Sequence, residues 1–254
     1  MSALLSVDDA RLAFGGLQAL GGASVHVDDG GITGLIGPNG AGKTTLFNCI
    51  SGLLRLDSGR VVFGGRDITA LSTHHRAALG IGRSFQHLGL MLAESVETNI
   101  LAAQYLSAGY RAVDVLGRPS RWWRRERVLS ERVDRALDAF GMVEARHAIV
   151  ADLSFAAARF VELAAVLVGG PSLMLLDEPT TGLDVAEVAL LGDVLARVRR
   201  EGTSLLVIAH DVGFTMQLCD HVVVLAQGQV LAAGDPERVR NDPAVIEAYL
   251  GAGV

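Results

Sequence analysis

The chain has 254 residues, of which 50% are hydrophobic, so it can bury a sizeable core as one large or two small domains. Its formal net charge of −6 leaves no broad basic surface, which argues against nucleic acid as a main partner. We expect no secretory signal, because the first residues lack a basic start and a long apolar core. The longest uncharged apolar stretch, Leu163 to Leu176, is broken by a Gly-Gly-Pro sequence and is too short to cross a bilayer. We expect a soluble, cytoplasmic protein whose two cysteines, Cys49 and Cys219, are reduced and mostly buried.

The first predicted elements are short alternating segments, which are typical of antiparallel strands. They are Leu5 to Val7, Val25 to Asp28 and Val61 to Phe63. Between the second and third segments lies an apolar run, Ile32 to Ile36, which is followed by a glycine-rich loop and a helical pattern. The apolar face of that helix is expected to carry Leu46, Phe47, Ile50, Leu53 and Leu54. The pattern predicts a small β-layer around a strand-loop-helix unit.

The glycine-rich loop has the composition of a phosphate-binding loop. It consists of Gly37, Pro38, Asn39, Gly40, Ala41, Gly42, Lys43, Thr44 and Thr45. Glycines let the backbone curl so that consecutive N–H groups face the phosphates, and the helix N-terminus adds positive potential. Lys43 can reach the β- and γ-phosphates of a nucleotide, and the Thr44 hydroxyl can bind Mg²⁺.

From about Thr69 to Gly169 the pattern is helical and irregular, which suggests an inserted helical segment. Its least core-like part, Arg118 to Arg127, places Trp122 and Trp123 among arginines. The two tryptophans fit a membrane interface or a partner, but they also fit an exposed helix start whose rings cover local apolar surface. An amphipathic helix is expected next, with an apolar face that carries Val133, Leu137 and Phe140.

Three apolar strands are predicted after this segment, at Leu173 to Leu176, Leu205 to Ile208 and Val222 to Leu225. The first of them ends in Asp177 and Glu178, so two carboxylates emerge where a parallel sheet presents its ligands. Asp177 can hold the Mg²⁺ shell, and Glu178 can accept a proton from, or orient, the water that attacks a γ-phosphate. Together with the phosphate loop, these two acids indicate hydrolysis of a nucleoside triphosphate.

Three segments, GPNGAGKTT, LSFAAAR and LMLLDEPTTGLD, make the chain resemble the nucleotide-binding subunits of ABC transporters over nearly its whole length. The resemblance implies a single α/β domain, residues 1–254. Within it we expect a RecA-like P-loop NTPase core at about 1–68 and 170–254, an antiparallel β-layer, and an inserted helical subdomain at about 69–169. The resemblance also implies ATP and Mg²⁺ as cofactors, and peripheral attachment to the cytoplasmic face of the cell membrane through transmembrane permease subunits.

The same resemblance gives roles to further residues. Phe14 matches the aromatic residue that stacks on adenine. Gln86 matches the glutamine that contacts Mg²⁺ or the attacking water, and His210 matches the switch histidine at the γ-phosphate. Asp184 matches a loop acid that communicates across the dimer, and its position before a helical run also suits a helix N-cap. The expected catalytic set is Lys43, Gln86, Glu178 and His210.

The family signature, Leu-Ser-x-Gly-Gln, is degenerate in this chain, because Ser154 is followed by Phe155, Ala156 and Ala157. In the family, the signature of one subunit closes over ATP held by the phosphate loop of the other. Ser154 can still contact the partner's nucleotide, but the methyl group of Ala156 can block a close approach, and Ala157 lacks the polar contact of glutamine. The half-site on the chain's own nucleotide is intact, which favours a heterodimer with one competent ATP site over a homodimer.

Two segments, Phe14 to Leu20 and Ala233 to Gly251, bring the resemblance closer to importers of branched-chain and other hydrophobic amino acids. Such an importer implies a periplasmic or extracellular solute-binding protein as an indirect partner. Lipopolysaccharide-export ATPases share parts of this ending and are an alternative. A second alternative is a regulatory subunit that binds ATP but turns it over slowly, which the degenerate signature favours and the intact Glu178 and His210 oppose. Soluble ABC ATPases of DNA repair or translation usually have a long coiled coil or two cassettes, and neither is visible here.

Overall fold

The structure is a computed structural model that describes residues 3–84, 89–107, 119–209 and 211–250. Two β-sheets form its framework, and helices pack around them. Among the helices in these ranges, none combines the length and the hydropathy that a bilayer-spanning segment needs. The strands, in chain order, are β1 Ala3–Phe14, β2 Leu17–Asp28, β3 Ile32–Ile36, β4 Ser58–Phe63, β5 Arg66–Asp67, β6 Ile81–Arg83, β7 Leu173–Asp177, β8 Ser204–Ile208, β9 His221–Ala226 and β10 Gln229–Gly234.

The larger sheet has the strand order β10-β9-β3-β8-β7-β6. Strand β10 is antiparallel to β9, and all other neighbours in this sheet are parallel. Strands β3, β7 and β8 are buried at every residue, because the sheet is covered on both faces. This explains why the sequence shows continuous apolar runs at these strands. The smaller sheet, with the order β2-β1-β4-β5, is antiparallel throughout.

Helices cover both faces of the larger sheet. In chain order they are α1 Lys43–Ser51, α2 Thr73–Ala78, α3 Val96–Ser107, α4 Pro119–Ala139, α5 Phe155–Leu167, α6 Val185–Arg200, α7 Val212–Leu218, α8 Pro236–Arg240 and α9 Pro243–Leu250. Two short 3₁₀ turns, Val143–Ala145 and Val150–Asp152, connect α4 to α5.

Two apolar cores lie on opposite faces of the six-stranded sheet. Because side chains alternate along a strand, Leu173 and Leu175 of β7 belong to one core, and Met174 and Leu176 belong to the other. The first core fills the space between the sheet, α1 and the antiparallel layer. The second core lies between the sheet and helices that include α4, α5 and α6.

The structure confirms several local predictions. The amphipathic helix is α4, where Val133 and Leu137 are fully buried, and Phe140 follows it with its ring centroid 6.0 Å from that of Phe160. Both Cys49 and Cys219 are buried free thiols. The predicted antiparallel segments are also present, but they are longer than expected, since β1 and β2 have 12 residues each.

Two details differ from the expectations. Helix α1 ends at Ser51, with Gly52 in the left-handed conformation as its cap, so Leu53 and Leu54 lie outside the helix, and Leu53 is 52% exposed. Strand β6 lies within the segment that was expected to be helical, and it pairs with β7 at the edge of the larger sheet. Its three residues are too few to show a strand period. The division of the chain into a RecA-like core and a helical subdomain remains a prediction.

Candidate functional site

The phosphate loop joins the carboxyl end of β3 to the N-terminus of α1. Gly42 caps α1 with a φ of 99°, and a Cβ atom at this position would lie 2.6 Å from the carbonyl oxygen of Ala19 in β2. A Cβ atom at Gly37 would lie 2.1 Å from the carbonyl oxygen of Leu225 in β9. The glycines therefore let the loop pack closely between two strands. Gly37, Ala41 and Lys43 are buried, whereas Asn39, Gly40 and Thr44 are exposed and Pro38, Gly42 and Thr45 are intermediate.

Lys43 is buried at the first residue of α1. Its Nζ donates hydrogen bonds to the carbonyl oxygens of Gly37 at 2.7 Å and Pro38 at 3.0 Å. Burial lowers the pKa of the Lys43 ammonium group, and the charges of Glu178 and Asp177 oppose that shift. The bonds keep the cation inside the curve of the loop, beside a helix N-terminus whose first turn contains no acidic residue. This is an arrangement that can neutralise a polyphosphate.

Asp177 ends β7, and its carboxylate is almost fully buried. Its Oδ2 lies 3.6 Å from Nη2 of Arg83, and its buried Oδ1 has no hydrogen-bond partner among the described residues. Burial raises the pKa of the Asp177 carboxyl, and the Arg83 guanidinium opposes that shift. A buried carboxylate oxygen without a partner fits Mg²⁺ well, because a cation would satisfy the oxygen and offset its desolvation.

Arg83 was not assigned a role from the sequence, yet it links β6 to α1. Its Nη1 donates hydrogen bonds to Oδ1 of Asn48 and Oγ of Ser51, each at 2.8 Å. The next residue, Ser84, accepts a bond at 3.3 Å from the backbone N–H of Asp177. In the sequence, the one indication of a role for Arg83 is its position directly before the Ser-Phe-Gln segment. Arg83 therefore balances the charge of Asp177 and fixes β6 against the helix of the phosphate loop.

Glu178 follows β7 directly and has a φ of 49°, a left-handed conformation that costs a residue with a side chain about 1–3 kcal/mol. Its backbone N–H donates to the carbonyl oxygen of Ile208 in β8 at 2.9 Å. Its carboxylate Oε2 accepts a bond from Oγ1 of Thr181 at 3.3 Å. These contacts hold the sharp turn that carries the carboxylate away from the strand, at the same sheet edge as the phosphate loop.

Phe14 is the last residue of β1 and pairs with Leu17 across the hairpin that joins β1 to β2. It is 50% exposed, so half of its surface is open to a ligand. Ala19 lies two residues farther along β2 and touches the phosphate loop at Gly42. The hairpin therefore places an open aromatic surface close to the phosphate loop, and the role of Phe14 in stacking on adenine remains a prediction.

The degenerate signature lies at the N-terminus of α5. Ser154 is the N-cap, and its Oγ accepts a hydrogen bond from the N–H of Ala157 at 3.2 Å. Phe155 is 53% exposed, and its ring contacts Gly182, where a Cβ atom would lie 2.6 Å from a ring carbon. Ala156 is only 6% exposed. The hydroxyl of Ser154 and the N–H of Ala157 thus bond to each other within this chain.

Asp184 forms a capping box with Glu187 at the start of α6. Its Oδ1 accepts a bond from the N–H of Glu187 at 2.9 Å, and Oε2 of Glu187 accepts from the N–H of Asp184 at 2.8 Å. The expected N-cap is confirmed. The expected role of Asp184 across a dimer remains a prediction.

Gln86 and His210 lie outside the described residues, so the roles expected for them remain predictions. The side chains of Trp122 and Trp123 are also outside the description. The described neighbour of His210, Asp211, is the N-cap of α7 and accepts a bond from the N–H of Phe214 at 2.9 Å.

Comparisons with known proteins agree with this arrangement. Residues 20–181 match the family model described as ABC transporter, and residues 229–254 match the model described as branched-chain amino acid ATP-binding cassette transporter. The chain is 37% identical, over 98% of both chains, to the high-affinity branched-chain amino acid transport ATP-binding protein LivG of Salmonella typhimurium. It is 31% identical to the lipopolysaccharide export system ATP-binding protein LptB of Haemophilus influenzae, over 98% of this chain and 97% of that protein.

A solved structure has the same fold. It is the ADP conformation of MJ1267, an ATP-binding cassette of an ABC transporter, with a TM-score of 0.87 and 29% identity. The match covers 99% of this chain and 100% of that one.

Proposed function

This chain belongs to the ABC transporter ATP-binding family, and we propose that it hydrolyses ATP to power the import of branched-chain amino acids. The similarity to LivG supports this cargo, because its identity of 37% exceeds the 31% found for LptB. The match of residues 229–254 to a branched-chain amino acid transporter model also supports it. The chain would act on the cytoplasmic face of a membrane, where transmembrane permease subunits hold it.

One observation carries the proposed ATP chemistry. Strands β3 and β7 are parallel and only β8 separates them, so the phosphate loop and the acids Asp177 and Glu178 share one edge of the sheet. When bound, ATP with Mg²⁺ would supply the γ-phosphate and a cation that offsets the charge of the phosphates. The loop N–H groups and Lys43 would hold the phosphates, and Thr44 and Asp177 would hold the cation. Glu178 would take the proton of the attacking water.

A groove next to the site is the surface we propose for the permease. Its lining is mostly apolar and includes Gly89 and Leu90, which follow in sequence the segment that contains Gln86. Ala103 from α3 and Ala165 from α5 form part of its wall. A carboxylate in this apolar wall would disfavour an apolar partner segment. We therefore expect Ala103→Glu to reduce copurification of the permease while ATP binding by the chain is unchanged. Unchanged copurification would place the permease elsewhere.

The degenerate signature supports a heterodimer. The N–H of Ala157 already bonds to Ser154, so it would have to leave that bond to reach a nucleotide on a partner. Ala156 stands where the family has glycine and is only 6% exposed, and the partly exposed Ala157 lacks the polar contact of the family's glutamine. Loss of one preorganised donor typically costs about 2.7–4 kcal/mol in the barrier, or roughly 10²–10³ in rate. A partner subunit with an intact signature would complete the ATP site on this chain.

The proposal is tested by the mass in solution of the Glu178→Gln variant, with and without ATP and Mg²⁺. Blocking hydrolysis should trap any closed dimer. We expect ATP to bind without doubling the mass, because the eroded signature would hold a partner's nucleotide more weakly than an intact one. The matched variant adds Ala156→Gly and Ala157→Gln to Glu178→Gln, and it should double its mass with ATP.

Other results of these mass and activity measurements would contradict the heterodimer or the role of Glu178. Doubling of the Glu178→Gln mass would overturn the heterodimer and support a homodimer. If the restored signature also leaves a monomer with ATP bound, erosion of the signature is not what limits pairing. In transporter complexes purified through a tag on this chain, Glu178→Gln should abolish most ATP hydrolysis. Persistence of the full rate would overturn the role of Glu178.

A further inference from the structure

Helix α5 contains a buried ion pair in an otherwise apolar sequence. Arg159 is 3% exposed and Glu162 is 6% exposed, and they are three residues apart on the same helix face. Nη1 of Arg159 donates to Oε2 of Glu162 at 2.7 Å. Burying two charges carries a large desolvation cost, and an apolar pair of similar size often gives equal or greater stability. Stability alone is therefore a weak explanation for this pair.

The second guanidinium nitrogen of Arg159 extends from α5 to the end of β7. Nη2 donates to the carbonyl oxygen of Glu178 at 2.9 Å, and it lies 3.4 Å from that of Asp177. The Glu178 carbonyl also accepts a bond from the N–H of Thr181 at 3.2 Å. Two hydrogen bonds therefore hold the carbonyl group of the peptide bond between Glu178 and Pro179. Glu178 is the residue that has the left-handed φ of 49°.

We propose that Arg159 is a positioning residue for ATP hydrolysis. Oriented by Glu162, it holds the backbone of Glu178 in the left-handed conformation and so aims the Glu178 carboxylate at the attacking water. The inference rests on the proposed function of Glu178. Because the degenerate signature begins the same helix, a shift of α5 changes the orientation of Glu178, and the eroded half-site remains coupled to the chain's own hydrolysis.

The test compares three variants in transporter complexes purified through a tag on this chain. Arg159→Gln should lower kcat for ATP about 10- to 100-fold, since a small misplacement of a catalytic group has effects of this size. The KM for ATP should stay within about twofold, because the bonds of Arg159 described above go to α5 and to the end of β7, which are separate from the phosphate loop. The kcat of Arg159→Lys should lie between those of Arg159→Gln and the unchanged chain. An ammonium group keeps the charge but lacks the planar fork that reaches a carboxylate and a carbonyl together. Glu162→Gln keeps a neutral acceptor and should lose less activity than Arg159→Gln.

A matched control is Arg199→Gln. Arg199 also bonds one carbonyl, that of Gly30 at 2.9 Å, and one carboxylate, that of Asp220 at 2.9 Å, but it lies on α6 away from Glu178. The Arg199→Gln variant should have an unchanged kcat for ATP. Amide hydrogen exchange of the nucleotide-free chain gives a readout that needs no activity: Arg159→Gln should speed exchange about tenfold in residues 178–182, and strand β8 should keep its protection.

A double-variant cycle separates positioning from general destabilisation. If Arg159 acts through Glu178, then Arg159→Gln should not lower the residual rate of the Glu178→Gln enzyme any further. A further drop, or uniform loss of exchange protection across the chain, would reduce Arg159 to a structural role and overturn the inference. If Glu178→Gln keeps the full rate, the proposed role of Glu178 fails, and the positioning inference fails with it. If Glu178→Gln is inactive while Arg159→Gln keeps its kcat, only the positioning inference fails.

Discussion

The exposed ring of Phe14 allows a quantitative prediction for ATP binding. Phe14→Ala removes an aromatic surface at the end of β1 without touching the phosphate loop. A phenylalanine side chain has about 200 Å² of surface, so the exposed half offers roughly 100 Å² to an adenine base. At about 25 cal/mol per Å², covering that area contributes about 2.5 kcal/mol, near the upper end of the roughly 1–3 kcal/mol measured for base–aromatic stacking. A loss of about 1 to 2.5 kcal/mol corresponds to a fall in ATP affinity of about 5- to 70-fold, and we expect Phe14→Ala to lie in this range.

The assay is calorimetric titration of ATP with Mg²⁺ into Glu178→Gln protein, in which hydrolysis is blocked. Phe14→Trp should restore the affinity, because a larger ring stacks equally well. Val143→Ala is the control, since Val143 is also 50% exposed but lies in the 3₁₀ turn after α4. It should leave the affinity unchanged. An affinity of Phe14→Ala within twofold of the starting protein would refute stacking, and a large fall in thermal stability would identify Phe14 as a core residue instead.

Three further predictions concern stability, its pH dependence and ATP binding. Gly42→Ala should unfold at lower temperature and lose ATP binding, because its Cβ atom would collide with the Ala19 carbonyl at 2.6 Å, and calorimetry measures both effects. Asp184→Ala should lower stability by about 1 kcal/mol and the Tm by about 2–4 °C, whereas Asp184→Asn keeps the cap and should change the Tm little. Burial raises the pKa of Cys49 to about 11 and that of Cys219 to about 12. Unfolded thiols ionise near pH 9, so denaturant titrations should show stability falling as the pH rises above 9, and this slope should flatten in the Cys49→Ala, Cys219→Ala double variant.

Much of the candidate site could be predicted because its signals are contiguous in the sequence. The phosphate loop needs a strand, glycines and a helix start in succession, and residues 32–51 provide them in that order. Asp177 and Glu178 follow a buried strand directly, which places both at the carboxyl edge of a parallel sheet. The capping box at Asp184 is likewise a four-residue pattern.

Other features depend on segments that are far apart in the sequence. Arg83 meets Asp177 across 94 positions, and strand β6 becomes recognisable only when it pairs with β7. The bond from Arg159 to the Glu178 carbonyl joins a helix to a turn, and no local pattern indicates it. The helix end at Ser51 depended on Gly52, and the apolar run that continues to Leu54 concealed it.

The sequence by itself determined the family, the nucleotide chemistry expected of it and the erosion of the signature, because each of these depends on residue types in short, ordered segments. Only the tertiary structure decided how the acids are held. Burial raises the pKa of Asp177, Arg83 counters that shift, and Arg159 fixes the strained turn at Glu178. Desolvation and hydrogen-bond geometry arise from packing between distant segments, and the order of residues in one segment does not specify them.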